Sequence, residues 1–112
     1  VMQECGVTQL PNSCNANLYE NGEDVVGWHA DDEPLFQATV QDALIISLSL
    51  GASRTCAYRL NTHPNGEHTI RLKDGDLCTM EGMMQKHYKH AILKEKGSTE
   101  PRINLTWRWI VA

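Results

Sequence analysis

The chain has 112 residues, enough for one domain with a single modest core. Its hydrophobic fraction of 41% is that of an ordinary globular protein, and no apolar run approaches the ~20 residues that a membrane-spanning helix needs. The net charge of −4 hides a polarity: residues 1–50 hold eight acids and no lysine or arginine, while residues 51–112 hold all ten basic residues against six acids.

A basic surplus of that kind suits a nucleic-acid partner, but two halves of a sequence are not yet two surfaces. Val1-Met2-Gln3-Glu4 has no basic stretch followed by an apolar one, so no secretory signal is expected, and such a start suggests a core trimmed from a longer protein. The four cysteines, Cys5, Cys14, Cys56 and Cys78, contain no Cys-x-x-Cys pair, which argues against a structural zinc site. Their even number permits two disulfides without demanding them. Reduced, mostly buried thiols are expected, in a reducing cytoplasmic or nuclear compartment.

In chain order, Asn15 to Glu20 reads as a short strand stopped by Asn21-Gly22-Glu23-Asp24. Val25 to His29 is extended and breaks at an acidic turn ending in Pro34. Ala43 to Leu50 is the strongest strand, with serines alternating against leucines, and Gly51 closes it. Arg54 to Leu60 and His68 to Leu72 flank a turn containing Asn65-Gly66, a hairpin signal. Lys73-Asp74-Gly75-Asp76 turns the chain into Leu77 to Met80. Tyr88 to Leu93 and Arg102 to Val111 complete a set of about eight strands, and only Pro34–Asp42 and Glu81–Lys86 have any helical character. Short strands with frequent turns imply a mainly β sandwich or barrel, the jelly-roll type included.

Three side chains on this framework suggest a metal centre. Alternate residues of an extended segment point to one side, so His29 and Asp31 can converge on one ion while Ala30 points away. A distant histidine would complete a 2-His-1-carboxylate face, which leaves open positions and favours Fe(II). His63 lies in a turn and His68 begins an exposed hairpin strand. His87 and His90 are an odd number of residues apart and would face opposite ways on one strand. His90 is preferred, because it runs into Ala91-Ile92-Leu93 and towards the last strand.

That last strand places Arg102, Asn104, Thr106 and Arg108 on one face and Ile103, Leu105, Trp107 and Trp109 on the other. A guanidinium donates two parallel hydrogen bonds to a carboxylate, so the polar face fits a cavity for a dicarboxylate co-substrate. Arg102 and Arg108 are about 20 Å apart on a straight strand, at ~3.4 Å per residue. Either the strand bends, or one arginine binds the co-substrate while the other steadies Asp31.

The residues resemble the AlkB family of Fe(II)/2-oxoglutarate-dependent dioxygenases. The resemblance runs through Asn17-Leu-Tyr19, Gly27-Trp-His-Ala-Asp-Asp-Glu-Pro34, Ser47-Leu-Ser-Leu-Gly51, Gly75-Asp-Leu77, His87-Tyr-Lys-His90 and Arg102-Ile-Asn-Leu-Thr-Trp-Arg108, in the family's order. It implies a double-stranded β-helix, the jelly-roll form, with little helix. It also implies that His29, Asp31 and His90 hold iron, with Asp31 central to catalysis, and that Asn17, Tyr19, Arg102, Asn104 and Arg108 surround 2-oxoglutarate. Glu33 matches an acidic position near the substrate base, and Trp28 packs behind the site.

The implied chemistry consumes O2 and 2-oxoglutarate and removes N-methyl groups from DNA or RNA bases, releasing formaldehyde, succinate and CO2. A base within a duplex would be flipped out first. Lys86, Lys89, Arg54 and Arg59 are candidate phosphate contacts. The family carries a lid with base-stacking aromatics before the Asn-x-Tyr strand, whereas the sixteen residues before Asn17 hold no Phe, Tyr or Trp. Residues 1–112 are therefore expected to form a catalytic core with most of that lid missing. The same oxygenase chemistry on a protein or small molecule, and a non-catalytic binding module, are the competing functions; no membrane partner is expected, and oligomeric state is open.

Overall fold

The protein is described by a computed structural model covering residues 2–111. Eight strands fold in two four-stranded antiparallel sheets. In chain order they are β1 (Ser13–Tyr19), β2 (Val26–His29), β3 (Ile45–Gly51), β4 (Arg54–Leu60), β5 (His68–Leu72), β6 (Leu77–Met80), β7 (Tyr88–Ile92) and β8 (Arg102–Arg108). One sheet has the order β1-β8-β3-β6 and the other β2-β7-β4-β5. Apart from the hairpin pair β4 and β5, consecutive strands lie in opposite sheets, as in a double-stranded β-helix.

The three strands from Arg54 to Met80 have the expected bounds, and the others differ by one to three residues at their ends. The hairpin between β4 and β5 forms, but Asn65 and Gly66 do not adopt the positive φ of a two-residue turn. The loop spans 61–67 instead. Both helical stretches shrink. Pro34–Asp42 contains only a 3-10 turn over Pro34–Phe36, and the second helix, α1, is the single turn Met84–His87.

The interior is half polar. Among the described residues, the fully buried apolar ones are Tyr19, Ala38, Ile45, Ile46, Ala57, Leu72 and Ala91. An equal number of buried residues is polar: Asp31, Ser49, Arg54, Gln85, Arg102, Asn104 and Thr106. The alternation of β3 and β8 is turned inside out. Ser47 and Ser49 pair with Thr106 and Asn104 on the inner face, while Leu48 and Leu50 pair with Leu105 and Ile103 on the outer one. Leu18, Leu50, Leu77 and Ile103 are accordingly exposed.

All four cysteines are free thiols. Cys14 is exposed and Cys5, Cys56 and Cys78 are half-buried, so the expectation of mostly buried thiols is corrected. Among the described residues no helix is long and apolar enough to cross a membrane.

Arg54 explains how the end of β1 is held. Its guanidinium is 1% exposed and donates to the carbonyl oxygens of Asn21, Asp24 and Leu93, at 3.2, 2.7 and 2.7 Å. The proposed phosphate contact at Arg54 is therefore overturned: the residue is buried, and both terminal nitrogens donate to backbone inside the protein. The same turn needs Gly22, whose N–H donates to Ser98 and whose carbonyl accepts from Glu95. A Cβ there would overlap the Glu95 carbonyl oxygen. Gly22→Ala is expected to cost about 2 kcal/mol of stability, measured by the urea midpoint; an unchanged midpoint would contradict this packing.

Candidate metal centre

His29 ends β2, Asp31 follows it by two residues, and His90 sits in the middle of β7. The β2–β7 register pairs His29 directly with His90, and their rings lie 4.2 Å apart between centroids. One donor atom from each of His29, Asp31 and His90 falls within 4.8 Å of the others. Among the described residues no other group of three such side chains converges. His87 ends α1 with its side chain exposed, so it is not part of this group.

Neighbouring groups orient each donor. His29 Nδ1 lies 2.8 Å from the carbonyl oxygen of Gly27. A proton on Nδ1 donated to that carbonyl leaves Nε2 free as a donor atom, and Nε2 is 4.0 Å from Asp31 Oδ1. Asp31 is 5% exposed. Its second oxygen, Oδ2, accepts from Arg108 Nη2 at 3.1 Å, and its backbone N–H donates to Gln85 Oε1 at 2.9 Å. Burial, with the His29 ring beside it, drives the His90 pKa down to about 4. His90 is thus neutral at physiological pH, the state in which imidazole binds a metal.

A small cavity of about 90 Å3 lies against this group and is walled by both sheets. Asn17, Tyr19, Arg102, Asn104 and Arg108 all line it. They meet because β1 and β8 pair Asn17 with Asn104 and Tyr19 with Arg102. The two arginines sit at different ends, which settles the question of their separation: Arg108 is tied to Asp31, and Arg102 lies beyond it beside Ser49 and Tyr19. The Phe36 ring lies 5.5 Å from the Arg108 guanidinium on its other side.

Arg102 is the electrostatic oddity. It is 1% exposed and donates through Nη2 to Ser49 Oγ at 2.9 Å, yet its Nε and Nη1 have no partner. Among the described residues no carboxylate lies within ion-pair distance of it. Burial lowers its pKa, with Tyr19 acting in the opposite sense. Unmet donors on a buried cation cost several kcal/mol, on the order of 1–3 each. A carboxylate entering the cavity would meet them. The cavity therefore fits a small acid at this end, and its His-Asp-His end fits a divalent ion that prefers nitrogen and oxygen donors.

Asn104 is less free than the sequence suggests. Its Nδ2 donates to Ser47 Oγ at 2.5 Å, and its Oδ1 accepts from Thr106 Oγ1 at 2.7 Å. Glu33 is exposed and does not line the cavity. Trp28 lies on the outer face with the Arg59 guanidinium 4.0 Å over its ring.

Sequence reasoning missed Gln85. A glutamine in a short polar helix carries no visible signal, yet it is 3% exposed and anchors the Asp31 backbone. Gln85→Leu removes that anchor and strands a buried N–H. It is expected to weaken Mn(II) or Fe(II) binding about 10- to 100-fold, read by anaerobic titration. Wild-type affinity in that variant would show that Gln85 does not position the carboxylate.

The chain is similar to known proteins over most of its length. Residues 1–108 match the profile of the 2OG-Fe(II) oxygenase superfamily. The human alpha-ketoglutarate-dependent dioxygenase alkB homolog 3 is 43% identical over 107 residues, covering 88% of this chain and 36% of the relative. The DNA oxidative demethylase ALKBH2 of Bos taurus is 32% identical over 103 residues, covering 85% of this chain and 36% of the relative. The chain thus spans little more than a third of the length of these relatives. The solved structure of OsALKBH1 superimposes with a TM-score of 0.70 over 90% of this chain and 49% of that one, at 22% identity, which speaks for the fold. The chain belongs to the 2OG-Fe(II) oxygenase superfamily and, within it, to the AlkB family.

Proposed function

We propose that this chain is the catalytic core of a 2-oxoglutarate-dependent dioxygenase that removes N-methyl groups from nucleic-acid bases. The observation that carries the proposal is the pairing of two features in one cavity. Three metal-binding side chains converge within 4.8 Å, and a buried guanidinium with unmet donors lies beside them. The names of the relatives supply the direction of the chemistry: one is called a dioxygenase and another a DNA oxidative demethylase.

In this proposal His29, Asp31 and His90 hold Fe(II), and Arg102 with Tyr19 holds one carboxylate of 2-oxoglutarate. Bound together with O2, iron and the keto acid supply the oxidising power that hydroxylates a methyl group and yields formaldehyde, succinate and CO2. The protein's own part is positional. Arg108 pairs with the Asp31 carboxylate and aims it, and Gln85 fixes the backbone from which it projects. Asn104, held by Ser47 and Thr106, and Asn17 at the mouth complete the polar wall. Exposed Glu33, two residues beyond Asp31, is placed to meet the base as it enters. Half-exposed His29, at 38% of its side chain, marks the side from which a substrate can approach. Free thiols and a ferrous centre suit a reducing cytoplasmic or nuclear compartment.

The test is turnover of methylated single strands, methylated duplexes and methylated peptides with Fe(II), 2-oxoglutarate and O2. Formaldehyde and succinate are expected in equal amounts from nucleic acid, faster from single strands, and absent with Asp31→Ala. Arg102→Met is expected to raise the 2-oxoglutarate requirement by about 100-fold. Formaldehyde from peptide but from no nucleic acid would overturn the proposed substrate. Release of neither product with any substrate would overturn the enzyme itself.

A further inference from the structure

A row of four ring-bearing side chains crosses the smaller sheet on its inner face. The register pairs His29 with His90, His90 with Tyr58, and Tyr58 with His68. The first two belong to the candidate metal centre, and the row continues past it to the edge strand β5. Tyr58 and His68 stack with centroids 5.3 Å apart and planes 23° apart, and the Tyr88 ring lies tilted 6.3 Å from Tyr58. None of these three lines the cavity beside the metal centre. Tyr58 and Tyr88 instead wall a separate open groove, completed by Glu81, Met83, Met84 and His87.

Two of the chain's three tyrosines are therefore half-buried at a surface, next to a metal-binding histidine, rather than in the core. Cations lie on the same strands. The strands of the smaller sheet contain Arg54, Arg59, Arg71 and Lys89 and no acidic residue. Arg54 is consumed inside and Arg71 pairs with Glu95, and Arg59 and Lys89, cross-strand partners one residue beyond Tyr58 and Tyr88, project from the opposite face, where Arg59 covers Trp28. Exposed Lys86 lies two residues before Tyr88. Flat rings one strand away from the metal centre, with an exposed lysine near them, favour a planar heterocycle attached to an anionic backbone, which is a nucleotide. One strand spacing, about 4.8 Å, separates Tyr58 from His90. That is within the reach of successive nucleotides in a single strand.

We propose that Tyr58 and Tyr88 form a stacking shelf for the nucleobase next to the one presented to the metal centre, with Lys86 beside its phosphate. The shelf rests on the nucleic-acid substrate proposed above and deepens it. It makes recognition depend on the neighbouring base and favours a strand whose bases are already unstacked.

The test uses single-stranded oligonucleotides with one N-methylated base and 2-aminopurine on its 5′ or 3′ side. They are bound to protein carrying Mn(II) and 2-oxoglutarate without oxygen. Stacking is expected to quench the fluorophore on one side only. Tyr58→Leu is expected to abolish that quenching and weaken binding about tenfold, Tyr88→Leu to do so more weakly, and Tyr58→Phe to restore it. An oligonucleotide abasic at that neighbouring position should bind wild type and Tyr58→Leu equally. Unquenched probes on both sides, or an equal loss on the abasic strand, would overturn the shelf. Wild type that demethylates strands yet ignores Tyr58→Leu would overturn the shelf alone. Wild type that binds no methylated strand but does bind a methylated peptide would overturn the nucleic-acid substrate and the shelf with it.

Discussion

The carboxylate of Asp31 is the point on which the architecture turns. It is 5% exposed, a state that an isolated anion does not tolerate. Arg108 at 3.1 Å supplies the countercharge, and Gln85 receives the backbone N–H of the same residue. These partners come from the far end of β8 and from α1, so three distant parts of the chain must be in place before the carboxylate can be buried. What remains of it, the oxygen facing His29, is then directed at the histidine pair. Breaking the ion pair by removing Arg108 would leave a buried charge uncompensated, which is why this contact governs stability and geometry together.

A second consequence is the polarity of the interior. A sandwich ordinarily fills the space between its sheets with apolar side chains. Here β3 and β8 turn serine, threonine, asparagine and arginine inward, and their leucines and Ile103 outward. The internal network of Ser47, Asn104 and Thr106 satisfies most of these groups, and the donors of Arg102 remain open. In the proposed reading the open donors of this guanidinium are the complement of the co-substrate carboxylate. Arg54, by contrast, spends its donors on carbonyls of the turn after β1 and of Leu93, and stiffens the closed end of the cavity behind Tyr19.

Much of this was legible in the order of residues. Alternation in Arg102–Arg108 assigned the inward face correctly, because a strand gives each side chain only two directions. The odd spacing of His87 and His90 separated them for a related reason, although His87 ends on a helical turn rather than on the strand. The length of β8 left two roles for its arginines, and only the arrival of Asp31 at Arg108 decided between them. Which side of β3 faces inward was not legible, since serines outside and leucines inside is the ordinary arrangement. Gln85 and Arg54 were invisible for a different reason: their partners are backbone atoms of distant segments, and no local pattern announces such a contact. The ring row ending at Tyr58 depends on register across three strand pairs, which a linear sequence does not display.

The central claim is that His29, Asp31 and His90 share one ferrous ion with a keto acid held beside it by Arg102. Its most direct test is an anaerobic absorption titration of the protein with Fe(II) and 2-oxoglutarate. A visible charge-transfer band from the keto acid chelated to the metal should appear only when both are present, saturate at one of each per chain, and vanish in His90→Ala. Saturation without the band, or a band that survives loss of His90, would contradict the claim.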